Sequence, residues 1–481
     1  MNGDTTTNKM IFQPQPKEKL IFDLVSEAAK SIGVDAYVVG GYVRDRLLGR
    51  PSKDMDIVCI GSGIALAQAV AARLSPQPKV VTYERFGTAM LRHRDLEIEF
   101  VGARRESYRS DSRKPTVENG SLEDDQRRRD FTINALAFSL NEANFGEIID
   151  PFDGIRHLEQ KIIRTPLQPE ATFSDDPLRM MRAVRFATQL GFEIEKTTFE
   201  GIVSTASRLK IISKERIIGE LEKMMNVPTP SVGWKLLLES NLLAQFFPEM
   251  VALRGVEAID GHFHKDNFFH TLQVLDNVAA HSDQLWLRWA AVFHDIGKPV
   301  TKRLEPPRGW TFHGHQEVGA NMLPRLFRQL GLPLDERLKY VQKMVRMHHR
   351  PVVITKEEVT SSAIRRLLFD VGEDYDDLML LVEADITSKN PARVQKYLEG
   401  YQYVRQRCVE LEESDKIRNW QPPIDGELIM KTFNIPPSQP VGIIKTAIRE
   451  AILDGIITND FEAARNLMLE EGKKLGLTAI L

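Results

Sequence analysis

The sequence predicts an α+β chain in which a small mixed-sheet head is followed by an all-helical neck, body and further helical regions. Three observations carry this. Period-two alternation of apolar and polar residues dominates from Asp35 to about Ile163 and then nearly vanishes. From Asp175 the chain reads as helices separated by short turns. From about Asp260 the texture changes again, and seven of the 11 histidines fall between His262 and His315.

Composition bounds the possibilities. At 481 residues the chain exceeds what one core normally supports, so two to four domains are expected. Hydrophobic residues at 42% and charged residues at 27% describe an ordinary globular protein. The formal charge of -3 announces no global basic field, which leaves a local positive surface as the route to nucleic acid. Cys59 and Cys408 build neither a disulfide framework nor a thiolate metal site, which fits a reducing, cytoplasmic compartment. The opening MNGDTTTNKM has no charged segment followed by an apolar one, and no later run reaches membrane-spanning length, so neither export nor membrane insertion is expected.

Taken in order, Asp35 to Val39 reads as a strand, Gly40 and Gly41 as a turn, Tyr42 to Leu48 as a helix start, and Met55 to Ile60 as a second strand. Asp54 and Asp56 are two apart and share a strand face. Hard oxygen ligands on one strand suit Mg²⁺ against a triphosphate, with Gly40 and Gly41 admitting phosphate oxygens and Arg44 neutralising them. A plain strand-loop-strand has the same pattern. The run LEIEF places Glu97 and Glu99 on one face and Ile98 and Phe100 on the other. Two-metal phosphoryl transfer needs about three carboxylates, and Glu99 is the choice for the third, while Glu97 is expected to face water. Arg104 and Arg105 end that strand with positive charge.

The polar stretch from Ser107 to Arg129 reads as a loop whose length suggests closure over substrate. Arg127, Arg128 and Arg129 lead into Asp130 and FTINALAF, read as a helix entry that meets phosphates, with Asn134 hydrogen-bonding substrate or local backbone. Asp153 and Gly154 form a tight turn. A helix spans about Pro177 to Leu190, capped by Asp175 or Asp176 and closed by Gly191, and others span about Lys214 to Met225 and Ser231 to Ser240. From Tyr401 to Leu481 the chain is mixed helical, with QPPIDG and IPPSQP as stiff turns.

The first half resembles the tRNA nucleotidyltransferase and bacterial poly(A) polymerase family of the polymerase-beta superfamily. GGYVRDRLLG with DMD looks like its metal and triphosphate motif, RRRDFTINALAF like its second motif and DPFDG like its third. DDPLRMMRAVRFA looks like the motif that reads the incoming base, and ISKERIIGEL like the final neck motif, so the resemblance covers about Gly40 to Met225. It implies a nucleotidyltransferase head in which Asp54, Asp56 and Glu99 are catalytic and Asp54 and Asp56 bind Mg²⁺. Arg129 and Asp130 would serve in the second motif, Asp176 and Arg179 would hydrogen-bond the base, and Asn134, Arg182 and Arg185 belong to the same nucleotide-binding set. Where the family has Glu-Asp, this chain has Asp175-Asp176. A carboxylate can accept from cytosine N4 or adenine N6, whereas guanine and uracil offer it an oxygen. The alternative reading makes Asp176 a helix cap and leaves Arg179 and Arg182 in solvated ion pairs.

His270, the His294-Asp295 pair and Asp385 have the order of HD-domain metallohydrolases, and His315 with His348 or His349 resembles the extra pair of two-metal versions. His348 is the preferred choice. His313 ranks below His315, Lys298 faces a substrate phosphate, and His262 and His264 sit on an entering loop. This implies a divalent metal, its identity open, and hydrolysis of phosphomonoesters or 2',3'-cyclic phosphates.

The expected domains are residues 20–162, a catalytic head; 163–255, a neck and body for nucleotide and RNA; 256–400, an HD domain; and 401–481, a helical tail. The expected activity is transfer of CMP and AMP from CTP and ATP to the 3' end of tRNA, with the acceptor arm as partner and no protein or membrane partner. A poly(A) or A-adding polymerase, and an inactive RNA-binding protein, are the alternatives.

Overall fold

The computed structural model describes residues 10–107, 116–255, 258–259, 262–263, 266–306, 309–354, 360–415 and 422–480. The chain forms two compact units, Met1–Met224 with Val232–Phe246, and Met225–Ser231 with Phe247–Leu481.

The first unit opens with α1 (Pro16–Ile32), β1 (Ala36–Val39), α2 (Gly41–Leu47), β2 (Asp54–Cys59) and α3 (Gly63–Ala71). There follow β3 (Val81–Tyr83), β4 (Thr88–His93), β5 (Leu96–Gly102), β6 (Arg104–Ser107) and β7 (Thr116–Asn119). Next come α4 (Leu122–Arg127), β8 (Ala137–Ser139), β9 (Ile148–Ile149) and α5 (Gly154–Glu159). Seven strands make one sheet in the order β3-β4-β5-β2-β1-β8-β9. It is mixed, because β2 and β5 run parallel through the α3 crossover while their outer neighbours are antiparallel. Met55, Ile57, Ile98 and Phe100 are buried, and α3 packs on β4 and β5. This apolar face fixes the register, since a one-residue slip would send the acidic face of β2 inward.

Two expectations for the segment after β5 are corrected. The polar stretch is not one loop: β6 and β7 pair as a hairpin, and Ser121 starts α4 through a capping box with Asp124. Residues 108–115 lie outside the described residues. Nor does FTINALAF enter a helix; Thr132–Asn134 is a single 3-10 turn and Ala137–Ser139 is a sheet strand. The short apolar run Ala135–Phe138 suits either a buried helix or a strand buried on both faces, and β8 is fully buried between β1 and β9.

The DPFDG turn forms as expected, with Asp150 as its organiser. Its carboxylate accepts from Gly154 N at 2.7 Å and Ile155 N at 2.9 Å, and Asp153 adopts a left-handed φ of 57°. A Cβ on Gly154 would stand 2.5 Å from Thr132 O and 2.9 Å from a Leu136 methyl. Gly154→Ala is therefore expected to destabilise the first unit by about 1–3 kcal/mol, measured as a lower midpoint in chemical denaturation.

The helices of this unit continue as α6 (Pro169–Asp175), α7 (Leu178–Leu190), α8 (Lys196–Thr205), α9 (Lys214–Met225) and α10 (Ser231–Glu239). Asp175 ends α6, while Asp176 starts α7 by accepting from Leu178 N at 3.1 Å. Gly191, at φ 69°, closes α7 as predicted.

In the second unit, α11 (Asn267–Ala279), α12 (Leu285–Phe293), α13 (His315–Leu330), α14 (Glu336–Met347), α15 (Ser361–Val371) and α16 (Tyr375–Ala384) surround a core that includes Trp289, Phe293 and Phe327. The long α17 (Pro391–Asp415) runs through residue 400, so the boundary expected there falls inside a helix. Three terminal helices, α18 (Gly426–Phe433), α19 (Gln439–Leu453) and α20 (Phe461–Lys474), share a small core around Ile429, Phe433, Ile444, Ile448 and Met468. The expected turn segments frame them: Asp425 caps α18, and left-handed Asn434 closes it before IPPSQP.

Candidate functional site

The acidic face of the head follows from strand register. Asp54 pairs with Glu97 and Asp56 with Glu99 across β2 and β5, so all four side chains rise on the face opposite Ile98 and Phe100. Asp54 and Glu99 are exposed and Asp56 is half-buried. Glu97 pairs with Arg92 of β4, in keeping with its solvent-facing assignment. Gly40 follows β1 at φ 80°, a conformation that favours glycine, and the position of its absent Cβ lies 2.6 Å from Arg129 Nη1 and 3.4 Å from Asp56 Oδ2. Gly41 begins α2, where its own missing Cβ would lie 3.5 Å from Arg44 Nη2.

Acid is in excess here. Burial pushes the Asp56 carboxyl up, Arg129 pulls it down, and Asp125 and Asp54 push it up again, with a net upward shift. A divalent cation beside Asp54 and Asp56 would relieve that repulsion, so the donor set fits Mg²⁺.

Behind this face lies a buried relay. Asp125, absent from the sequence-derived site, binds Arg128 Nη2 at 2.5 Å and Arg129 Nη2 at 3.0 Å and is itself fully buried. Its signal was its place three and four residues before two arginines on a helix. Arg127 turns outward to Glu123. Asp130 accepts from Phe131 N at 2.8 Å, Asn134 Nδ2 at 3.0 Å and Arg182 Nε at 2.7 Å. Burial alone would raise its pKa, but Arg182 and Asn134 hold it below the usual range.

Asn134 in turn accepts from Arg44 Nη1 at 2.6 Å, and the rest of the Arg44 guanidinium binds Asp45. Arg44 is 6% exposed, so in this structure it orders Asn134 and Asp45. Arg185 reaches Glu220 at 2.5 Å and Gln189 at 2.8 Å. Arg44, Arg182 and Arg185 all stack about the Phe186 ring, at 4.8, 5.3 and 3.8 Å from its centre. Glu220 and Phe186 were not singled out from sequence. Asp176 pairs with Arg216 Nη2 at 2.9 Å, and Arg179 donates to Arg128 O at 2.6 Å and Thr172 O at 3.4 Å.

The second unit gathers the predicted histidine set at helix ends. His270 comes from α11, His294 and Asp295 follow α12, His315 starts α13, His348 follows α14 and Asp385 follows α16. Two groups have ligand atoms within 4.8 Å of one another: His270, His294 and Asp385, and Asp295, His315 and His348. Asp295 joins them, with Oδ2 3.5 Å from His270 Nε2 and Oδ1 3.4 Å from His315 Nε2. His348 lies inside the group and His349 does not, while both line the adjoining cavity. His313 is outward, 3.6 Å from Glu305. His262 lies in a short hairpin strand, and His264 lies outside the described residues.

Each imidazole is oriented from behind. Nδ1 of His294, His315 and His348 faces the carbonyls of Ala291, Phe312 and Val345 at 2.7, 2.9 and 2.7 Å, and Nδ1 of His270 faces Thr387 Oγ1 at 2.9 Å. All four Nε2 atoms therefore point inward, the arrangement that metal-binding histidines use. His294 Nε2 is buried without a hydrogen-bond partner in good geometry. Burial and the neighbouring His294 depress His348 to about 3, and burial depresses His315. Burial thus favours the neutral form at both, the form that ligates a metal, whereas at His294 burial is outweighed by Asp295, which shifts the pKa upward. Burial would raise Asp295, but His294 and Lys298 hold it well below the carboxylate range. Lys298 Nζ sits 2.5 Å from Asp295 Oδ2, at the rim of a cavity of about 650 Å³ that Phe312, Lys389, Arg393 and Tyr397 also line.

Comparison with known proteins matches three segments. Residues 36–164 match the poly A polymerase head domain, 191–253 a probable RNA and SrmB-binding site of polymerase A, and 267–390 the HD domain. Among solved structures, a CCA-adding enzyme in its second apo form superposes with a TM-score of 0.64 at 23% identity, covering 96% of this chain and 99% of that one. A Thermotoga maritima CCA-adding enzyme complexed with tRNA gives 0.60 at 22%, covering 97% and 100%. A tRNA nucleotidyltransferase complexed with a primer tRNA and an incoming ATP analogue gives 0.57 at 26%, covering 79% and 99%.

Proposed function

We propose that this chain, which belongs to the tRNA nucleotidyltransferase and poly(A) polymerase family and carries an HD domain, adds CMP and AMP from CTP and ATP to the 3' end of tRNA. The observation that carries the reading is the register of β2 and β5, which sets Asp54, Asp56 and Glu99 on one face beside Gly40 and Arg129. Mg²⁺ held there by Asp54 and Asp56 would supply charge neutralisation at the α-phosphate and the departing pyrophosphate. Glu99, at the exposed edge, meets the terminal ribose hydroxyl as it forms the new P–O bond. The triphosphate is assigned to the turn at Gly40 and Gly41, where the missing side chains admit the guanidinium groups of Arg129 and Arg44 close to the backbone. The relay from Arg44 through Asn134, Asp130 and Arg182 to Glu220 holds α7 against the head and so positions Asp176 and Arg179 for the base edge.

The division into head, neck and body, HD domain and tail is proposed on the same basis. No helix among the described residues is long and apolar enough to cross a membrane. Two free cysteines and a tRNA substrate favour the cytoplasm.

CTP alone, given to a tRNA lacking its last three nucleotides, is the deciding assay. Extension by two cytidines that then stops is expected; extension only with ATP would replace this reading by an A-adding or poly(A) enzyme. For selection, Arg179→Ala is expected to cost about 1–3 kcal/mol in preference for CTP and ATP while leaving triphosphate affinity nearly intact. Competition among the four nucleotides measures it, and unchanged preference would remove Arg179 from the reading surface.

The HD unit is proposed to bind a divalent metal pair and hydrolyse a phosphate ester. Two triads joined through Asp295 at the floor of a cavity with Lys298 on its rim support this.

A further inference from the structure

Both side chains assigned to the base edge are engaged by the protein itself. One oxygen of Asp176 accepts from Leu178 N at 3.1 Å, and the other accepts from Arg216 Nη2, on the neighbouring helix α9, at 2.9 Å. Arg179 gives two of its five N–H donors, one each from Nη1 and Nη2, to the carbonyls of Thr172 and Arg128. The Asp176–Arg216 pair is open to solvent, with the two side chains 29% and 48% exposed, so it is a weak contact that a ligand can displace. The guanidinium is a planar donor, and a donor is what the exocyclic amine of cytosine or adenine also brings to a carboxylate.

We propose that Arg216 is a placeholder for the base: it occupies the acceptor oxygen of Asp176 until the amine of an incoming CTP or ATP replaces it. The inference rests on the assignment of Asp176 as base reader. Its consequence is a gate on specificity. A base with an amine returns to Asp176 the hydrogen bond lost with Arg216, whereas uracil presents O4, an acceptor, and leaves the carboxylate with neither partner. Placing the guanidinium there costs the correct nucleotides some affinity and keeps the carboxylate oriented and charge-paired in the empty site. Asp176 keeps its bond to Leu178 N throughout, so the helix start is preserved during the exchange.

The test is equilibrium binding of CTP, ATP and UTP to the full chain and to Arg216→Ala and Arg216→Lys, by calorimetry in the presence of Mg²⁺ and without tRNA. Relief from competition predicts that Arg216→Ala binds CTP and ATP about two- to fivefold more tightly, the range a half-exposed ion pair allows, with no gain for UTP. Arg216→Lys, which keeps the charge without the planar fork, is expected to lie between the two. Weaker CTP binding in Arg216→Ala at unchanged melting temperature would make Arg216 a base or phosphate contact and overturn the proposal, as would equal tightening for UTP. Asp176→Asn separates this failure from that of the underlying assignment. If Asp176→Asn keeps the full preference for CTP over UTP, Asp176 does not read the base and both ideas fall. If it loses the preference while Arg216→Ala binds CTP as before, the placeholder alone is refuted.

Discussion

Asp56→Ala is expected to lower nucleotide incorporation at least about a thousandfold while leaving the fold intact. Charge stabilisation of the transferring phosphoryl group by bound metal is worth several kcal/mol, and each 1.4 kcal/mol is a factor of ten in rate. Asp56 is the half-buried member of the carboxylate set and the one whose carboxyl is pushed up by burial and by Asp125 and Asp54. Removing it relieves like-charge repulsion, so the stability cost is small, within about 0.5 kcal/mol of the starting protein. Asp56→Asn, nearly the same shape, should behave alike because it loses the ligand charge without opening space. Glu97→Ala is the matched control: it lies on the same face one register pair away, but it pairs with Arg92 and is expected to leave incorporation within about twofold. Single-turnover incorporation with radiolabelled CTP, read beside a denaturation midpoint for each variant, measures both. Normal incorporation by folded Asp56→Ala would remove the metal site from β2.

The parts of the fold that were legible are those in which side-chain period and chain chemistry agree. β2 and β5 begin with alternating residues, and that alternation puts Asp54 with Asp56 and Glu97 with Glu99 on shared faces, while the parallel register of the two strands is what sets the pairs side by side. α7 has Asp176 just before its capping residue Pro177, accepting from Leu178 N, and a left-handed glycine closes its end. The histidine set was legible as an ordered series, since each member falls at a helix end. What was illegible required tertiary information. Ala137–Ser139 is buried on both faces, and only its place between two strands separates it from a helix. Leu122–Arg127 is polar after its first residue, so no periodicity marks it; its Ser121 and Asp124 pair is the available signal. Asp125 and Glu220 look like surface acids in sequence, but the arginines they face come from positions that the fold alone brings near, except for the two on the same turn as Asp125. The buried destination of Arg44 was hidden for the same reason, because its partner Asn134 is 90 residues away. Adjacent His348 and His349 are chemically identical in sequence, and the end of α14 decides which faces the cluster.

Asp295→Ala is expected to abolish metal binding at the HD cluster, and any phosphate-ester hydrolysis with it, while CMP incorporation stays within about twofold. The two outcomes separate because Asp295, His270, His294, His315, His348 and Asp385 belong to the second compact unit and Asp54, Asp56 and Glu99 to the first. Within the cluster, Asp295 faces both triads, so its loss damages both, whereas His348→Ala removes one ligand from one triad and is expected to leave a partly loaded site. Stability moves as well. Asp295 is buried, with Lys298 2.5 Å and His294 3.2 Å away, and deleting one member of a buried charged pair costs about 3–5 kcal/mol. Lys298 keeps 18% of its side chain exposed and can turn its ammonium to water, which places the expected cost at the low end of that range. Asp295→Asn keeps the size and an acceptor oxygen for Lys298, so it separates loss of the ligand charge from loss of packing. Metal content by elemental analysis, hydrolysis of a 2',3'-cyclic nucleotide and CTP incorporation, all on protein with a confirmed melting transition, complete the comparison. Retained metal with retained hydrolysis in either variant would refute the assigned centre. Metal lost from the variants, with no hydrolysis even by the starting protein, would show that the same six side chains serve structure or regulation, because the orienting hydrogen bonds behind each imidazole hold an ion equally well whether or not a substrate follows.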